Sequence, residues 1–270
     1  MNRRWNGVVD TSDACLGNLM SAGGLVMVLD TETTDADDDR ELLELAWAFP
    51  QDQTCGHPPV HVQRFGHTRP IAPGAMAAHH IIPDDVSGLT LWRQPGGGEF
   101  ADVFSEVEYI AGHNVDFDWE TLGRPDVRRI CTMSMARELW PNLERNDLAT
   151  VLYSLLPPGQ VRPMAKSAHS AGADVEMAYV VLQLCVGTAR ARGLLAPMAD
   201  HVNTEWDAIW RLSESMRIPS RCPFNAHKGL HWRAVPRGFR TWCLDKLDDM
   251  DMYTRIAIEE SLKPEVIDTP

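Results

Sequence analysis

Leu25-Val26-Met27-Val28-Leu29 runs apolar without interruption and ends at Asp30-Thr31-Glu32. A short continuous apolar run is the pattern of a strand buried on both faces, as in a sheet covered by helices. Side chains alternate along a strand, so Asp30 and Glu32 project from one face, their backbones about 6.5 to 7 Å apart. Two carboxylates at that spacing suit a pair of divalent cations ~3.5 to 4 Å apart. A solvated strand end carrying two acids has the same pattern, and Asp-x-Glu alone does not choose between them.

Working outward, Leu42 to Phe49 is a second apolar segment and Val60 to Phe65 alternates like a third strand. Arg69-Pro70 and Pro73-Gly74 break the chain after it, and Pro95-Gly96-Gly97-Gly98 marks another break before a helical stretch to about Glu108. Tyr109-Ile110-Ala111-Gly112 reads as a fourth strand, with a helix starting near Asp118. Met133 to Trp140 and Asp147 to Leu156 read as helices, stopped by Pro141 and by Pro157-Pro158-Gly159. Ala173 to Arg190 carries Met177, Val180, Val181, Leu184 and Cys185 at helical spacing. Strands first and strands mixed with helices later predict an α/β sheet domain over residues 23–190. An extension over 1–22, expected to be poorly ordered, precedes it; a connector over 191–216 and a small unit over 217–263 follow.

The totals narrow the function classes. No apolar run in the 270 residues approaches the ~20 needed to span a bilayer. Asp10 and Asp13 stand where a secretory signal would be apolar, so a cytoplasmic location is expected. The cysteines at 15, 55, 131, 185, 222 and 243 form no CxxC pair and read as reduced thiols. A net charge of −13 argues against a nucleic-acid coat held by bulk attraction. The charge is uneven, however. Between Glu214 and Asp245 no acid occurs, while Arg217, Arg221, Lys228, Arg233, Arg237 and Arg240 do, interleaved with Phe224, Trp232, Phe239 and Trp242. No P-loop or GxGxxG is present.

Asp-x-Glu gains force from two further motifs. Gly112-His113-Asn114-Val115-Asp116-Phe117-Asp118 follows the fourth strand, and His169-Ser170-Ala171-Gly172-Ala173-Asp174 opens the long helix. With these three segments in order, the chain resembles the DEDDh exonucleases, proofreading-type nucleases with a ribonuclease-H-like fold. The resemblance narrows to the exodeoxyribonuclease X group through Pro70 to His79, Ile130-Cys131-Thr132-Met133 to Pro141, and the tail from Phe224 to Trp242. It covers roughly residues 24 to 262.

The resemblance implies a mixed five-stranded sheet flanked by helices, with a small, mainly helical C-terminal unit. It implies 3′→5′ exonuclease activity on single- or double-stranded DNA 3′ ends, with no membrane involved. Asp30, Glu32, Asp118 and Asp174 would hold two Mg²⁺ ions, with Mn²⁺ an expected substitute, and His169 would be the general base. The family places its middle acid after Phe, hence Asp118, although Asp116 lies in the same motif and one sequence does not settle the choice. Thr31, Thr33, His79, Asn114, Lys228, Arg233 and Arg240 are expected to touch substrate, Asn114 also anchoring the turn before Asp118. The family's Gly after DxETT is Asp35 here, followed by Asp37-Asp38-Asp39, which reads as a solvated loop pointing away. An exoribonuclease on short RNA and a non-catalytic nucleic-acid-binding protein are the rival readings.

Overall fold

The computed structural model describes residues 25–52, 57–92, 104, 106–166, 168–195, 205–248 and 250–264. The expected extension over 1–22 and the Pro95 to Gly98 break lie outside them. Strands β1 (Leu25–Thr33), β2 (Leu42–Ala48), β3 (His61–Arg64), β4 (Val107–Gly112) and β5 (Arg128–Cys131) form one sheet in the order β3-β2-β1-β4-β5. The β1–β2 and β2–β3 pairs are antiparallel, and β1–β4 and β4–β5 are parallel. This is the mixed five-stranded sheet expected, with the apolar run at its centre.

Alternation sorts β1 between two cores. Val26 and Val28 join Ala46, Ala48, Tyr109 and Ala111 on one face, and Met27 and Leu29 join Leu45, Phe65 and Ile110 on the other. Each buried Val, Leu, Ile or Met side chain among them contributes about 1.5 to 3 kcal/mol. The first face is covered chiefly by helices α4 (Thr132–Leu139), α5 (Leu148–Leu155) and the long α7 (Ala171–Ala191). The short α3 (Val115–Thr121) packs on β1, β4 and β5 from the other side. At Gly112 a Cβ would stand 3.0 Å from the Leu29 carbonyl oxygen, so β4 ends on glycine where it presses against β1.

Two prolines that read as breaks, Pro73 and Pro158, also open helices, as does Pro83. Pro73 begins α1 (Pro73–His79), Pro83 begins α2 (Pro83–Val86), and Pro158 begins α6 (Pro158–Ala165). A first-turn proline forgoes only an N–H that has no intrahelical partner.

Within the expected connector, Glu205–Arg217 is a helix, α8. Its Trp206 and Ile209 belong to the same core as β1, and Ser213 Oγ accepts the Cys131 N–H at 2.8 Å. An amphipathic helix that buries its apolar face on the sheet body is not a linker, and a cut after Ala208 would split it. The chain then forms α9 (Arg237–Lys246) and α10 (Met252–Leu262), which share a separate small core of Cys222, Trp232, Val235, Cys243, Ala257 and Ile258. Among the described residues no helix is long and apolar enough to cross a membrane.

Candidate active site

Asp30 and Glu32 lie on the face of β1 that carries Val26 and Val28, the face covered by α7. Asp174, in the first turn of α7, meets them there, and one oxygen from each of the three lies within 4.8 Å of the others. The position of Asp174 is favourable for a carboxylate, because the helix dipole is positive at that end. Its carboxylate also accepts the His169 backbone N–H.

The electrostatics are those of anions crowded together. Burial, then Asp118, Asp174, Glu32 and Glu44, push the Asp30 carboxyl well above its ordinary range. Burial, then Asp174, Glu44 and Asp118, raise Glu32 to about 8. Burial raises Asp174 to about 6 against the opposing influence of His169. An all-oxygen donor set strained in this way fits a hard divalent cation, whose charge would relieve the repulsion.

Asp118 approaches from the other side of the sheet. Its Oδ1 accepts the Thr31 hydroxyl at 2.7 Å, and burial raises its carboxyl to about 7 while the Thr31 bonds lower it. It is not one of the three acids whose oxygens converge, but its charge acts on both Asp30 and Glu32. Asp116, two residues earlier, points elsewhere. Its oxygens take Arg129 at 2.5 Å and Arg217 at 2.6 Å, and Tyr253 donates to it at 3.3 Å. Arg217 is only 2% exposed. Asp116 is therefore consumed by a structural network, and Asp118 is the acid on the carboxylate side.

The remaining candidates divide. His169 is exposed at the entry to α7 with a left-handed backbone (φ 68°). Thr31 acts on Asp118, and Thr33 donates its hydroxyl to the Asp35 carbonyl at 2.6 Å. His79 corrects an expectation. The ring is buried, Nδ1 accepts the Ile81 N–H at 3.0 Å, and Nε2 donates to the Thr33 carbonyl at 3.1 Å. Both nitrogens are engaged, so His79 braces the loop and leaves no ring nitrogen for a nucleotide. Asn114 is exposed and left-handed (φ 72°) at the start of α3; it caps by backbone position, without a side-chain bond. His113 is a half-buried ring, its pKa lowered to about 4 by desolvation, whose Nε2 meets the Asn146 carbonyl and Nδ1 the Thr132 hydroxyl. The acidic loop 35–39 is solvated as expected, tied back by Arg69 and Arg40 on Asp37.

Two residues near the acids escaped the sequence reading. Arg40 lies over the Phe117 ring at 4.1 Å, bonds the Thr121 hydroxyl, and lowers the Asp118 carboxyl by its charge. Glu44, 4% exposed, sits directly across from Glu32 in the β1–β2 ladder. A charge on the inward side of Leu42-Leu43-Glu44-Leu45 was the available signal.

The cationic segment is spent unevenly. Arg240, expected at the substrate, is buried in the small core's rim, donating to the Ser261 carbonyl and hydroxyl at 2.5 and 2.9 Å. Burial, then Arg237 and Arg233, hold its pKa below the usual value. Arg237 and Arg233 reach the neighbouring carbonyls of Leu262 and Lys263, so three guanidiniums gather at the negative end of α10. Lys228 donates to the Glu144 carbonyl at 3.1 Å. Trp232 is core, whereas Trp242 is 48% exposed and stacked on Phe239.

No protein-family model matches the chain. Among curated proteins, exodeoxyribonuclease 10 of Escherichia coli (strain K12) is 25% identical over 243 residues, covering 88% of this chain and 99% of that protein. A solved exonuclease X in complex with 5′-overhanging duplex DNA is 24% identical, covers 61% of this chain and 93% of its own, and has a TM-score of 0.48. E. coli exonuclease I in complex with single-stranded DNA, in a zinc-bound form, is 18% identical with a TM-score of 0.50, covering 63% of this chain and 42% of that one. The resemblance drawn from the motifs is borne out by the curated relative, and the fold by the exonuclease I structure.

Proposed function

We propose that this chain, a relative of the DEDDh exonucleases, is a metal-dependent 3′→5′ DNA exonuclease that releases nucleoside monophosphates. The observation that carries the reading is the convergence of Asp30, Glu32 and Asp174 within 4.8 Å, with Asp118 acting on them from across β1. Two Mg²⁺ ions bound there, or Mn²⁺ in their place, would supply an activated water and stabilise charge on the phosphorus and the leaving 3′ oxygen.

The chain's own residues do the rest. Asp30, Glu32, Asp118 and Asp174 would hold and space the cations, and the Thr31 hydroxyl fixes the orientation of Asp118. His169 would take a proton from the attacking water at its imidazole, which is exposed and joined through its backbone to Asp174. DNA as substrate is supported by the names of the relatives, and 3′ polarity by the family resemblance. The exposed Trp242 and the cations Arg233, Arg237 and Lys228 would follow a bound strand on the C-terminal unit.

The test uses end-labelled single-stranded DNA, duplex DNA and RNA, each with Mg²⁺, with Mn²⁺ and with chelator. Mononucleotides released from DNA 3′ ends only when metal is present are expected. Cleavage that survives chelation would overturn the metal assignment. Preference for RNA would transfer the reading to an exoribonuclease, and tight binding without release would leave a non-catalytic binding protein.

A further inference from the structure

Resting on the exonuclease reading, we propose that Arg64 is a substrate-binding residue: its guanidinium takes a phosphate of the nucleic-acid strand beside the carboxylate cluster, and Glu44 aims it. The two ladders line these residues up. Glu32 is opposite Glu44 in β1–β2, and Glu44 is opposite Arg64 in β2–β3. Directly paired residues share a face, and strands lie about 4.8 Å apart, so the Arg64 backbone is roughly 10 Å from that of Glu32. The N-terminus of α7 comes down on the same edge. At Gly172 a Cβ would stand 3.2 Å from the Val62 side chain; Val62 is two residues before Arg64 in β3, and Gly172 two before Asp174 in α7. Arg64 thus lies on the rim of the pocket of acids.

Glu44 is hard to explain by stability. It is a further buried carboxylate beside Glu32 and Asp30, where it adds to the repulsion, and its partner is Arg64 Nε at 2.7 Å. The Arg64 side chain is 44% exposed on an edge strand, and half-exposed ion pairs contribute little to folding. An apolar residue at position 44 would extend the run of Leu42, Leu43 and Leu45 at no such cost. The geometry accounts for the pair differently. With Nε pinned, the planar guanidinium is held in one orientation, and both terminal nitrogens are without a protein partner among the described residues. That is the edge which forms paired bonds to a phosphate. A cation here also offsets the repulsion that Asp30, Glu32, Glu44, Asp118 and Asp174 exert on an incoming polyanion.

Two measurements test this. The first is affinity for a fluorescent single-stranded oligonucleotide in Ca²⁺, by anisotropy. The second is kcat/KM in Mg²⁺ for that oligonucleotide relative to a nitrophenyl ester of a nucleoside monophosphate, which has no neighbouring phosphodiester. Arg64→Ala should weaken affinity about 10-fold and lower the oligonucleotide-to-ester ratio by a similar factor, mainly through KM. Arg64→Lys should recover part of the affinity. In the double variant with Glu44→Gln the losses should fall short of additive, because one residue acts through the other. Unchanged affinity and ratio in a folded Arg64→Ala protein overturn the proposal; if that variant is unstable, Arg64→Gln is read in the same way. A wild type that binds the oligonucleotide but cleaves neither substrate defeats the exonuclease reading, while the affinity comparison still decides Arg64. A wild type that does not bind it defeats both.

Discussion

At the end of β1, Asp30, Glu32 and Asp174 are driven together, and their carboxyls are raised by burial first and, at Asp30 and Glu32, by the neighbouring acids. After Glu214 the chain concentrates six cations, and there the fold does the reverse, giving Arg217 an aspartate and a glutamate and Arg240 a serine and a helix end. One region keeps its charge unbalanced; the other gives buried Arg217 two carboxylates and ties buried Arg240 to the C-terminal end of a helix. Uncompensated charge is destabilising, so a fold that retains it does so for a ligand. Compensated charge holds elements together. This contrast supports the proposed role of the acids as the reacting centre, and it makes the proposed nucleic-acid contacts of the basic unit a matter for its exposed cations and Trp242.

The largest effect should come from the acids. Asp30→Asn is expected to fold normally and lose roughly 10³-fold or more in rate, with Asp118→Asn alike, because a lost cation ligand removes transition-state stabilisation. His169→Ala, which leaves the acids in place, should lose about 10² to 10⁴-fold in rate while retaining metal binding. Near-normal turnover of folded Asp30→Asn protein would erase the distinction between the two regions.

Asp116→Asn probes the opposite category within the same short helix. It removes a partner from the nearly buried Arg217, so a stability loss of about 1 to 3 kcal/mol is expected, with little loss of turnover well below the Tm. Thermal melts beside rate assays would separate it from Asp118→Asn; equal rate losses would show that both acids belong to the reaction.

The raised carboxyls predict a pH signature in metal-free protein. A group with a raised folded-state pKa stabilises below its unfolded value, and that contribution is lost as pH climbs through the folded value. With Asp174 near 6, Asp118 near 7 and Glu32 near 8, Tm should fall between about pH 5 and pH 8. Mg²⁺ should raise Tm more at pH 8 than at pH 5, since protons no longer compete for the same oxygens. Equal shifts at both pH values would mean that cations bind elsewhere.

The smallest effect sharpens the basic side. Arg240→Ala should lower Tm but leave the salt dependence of DNA binding unchanged, because its charge is buried against Ser261. Arg237→Ala should do the opposite and reduce the slope of log affinity against log salt by about 1. Binding isotherms at several salt concentrations decide it.

Much of the sheet was legible because its signals are local. A five-residue apolar run, an alternating strand and a helix with three- and four-residue spacing each state their burial within a dozen residues, and Asp30, Glu32 and Asp174 inherit their faces from them. The helices after Pro73 and Pro158 were missed because the same ring that stops one helix starts another. The helix Glu205–Arg217 was missed because it looked like the end of a domain, although its apolar face belongs to the first core.

By itself the sequence determined the order of the motifs along the chain, the paired acids on β1 and the acid opening α7. Only the tertiary structure decided which charges are free to act. Asp118 is bonded to Thr31, 87 positions away, whereas Asp116 is claimed by Arg217 and Tyr253, 101 and 137 positions away. Glu44 gained its meaning from Glu32 and Arg64 on neighbouring strands, and Arg240 lost its expected one to Ser261. The periodicity of a chain records whether a residue is buried, but neutralisation depends on what the fold brings within hydrogen-bonding distance, and that information is not local.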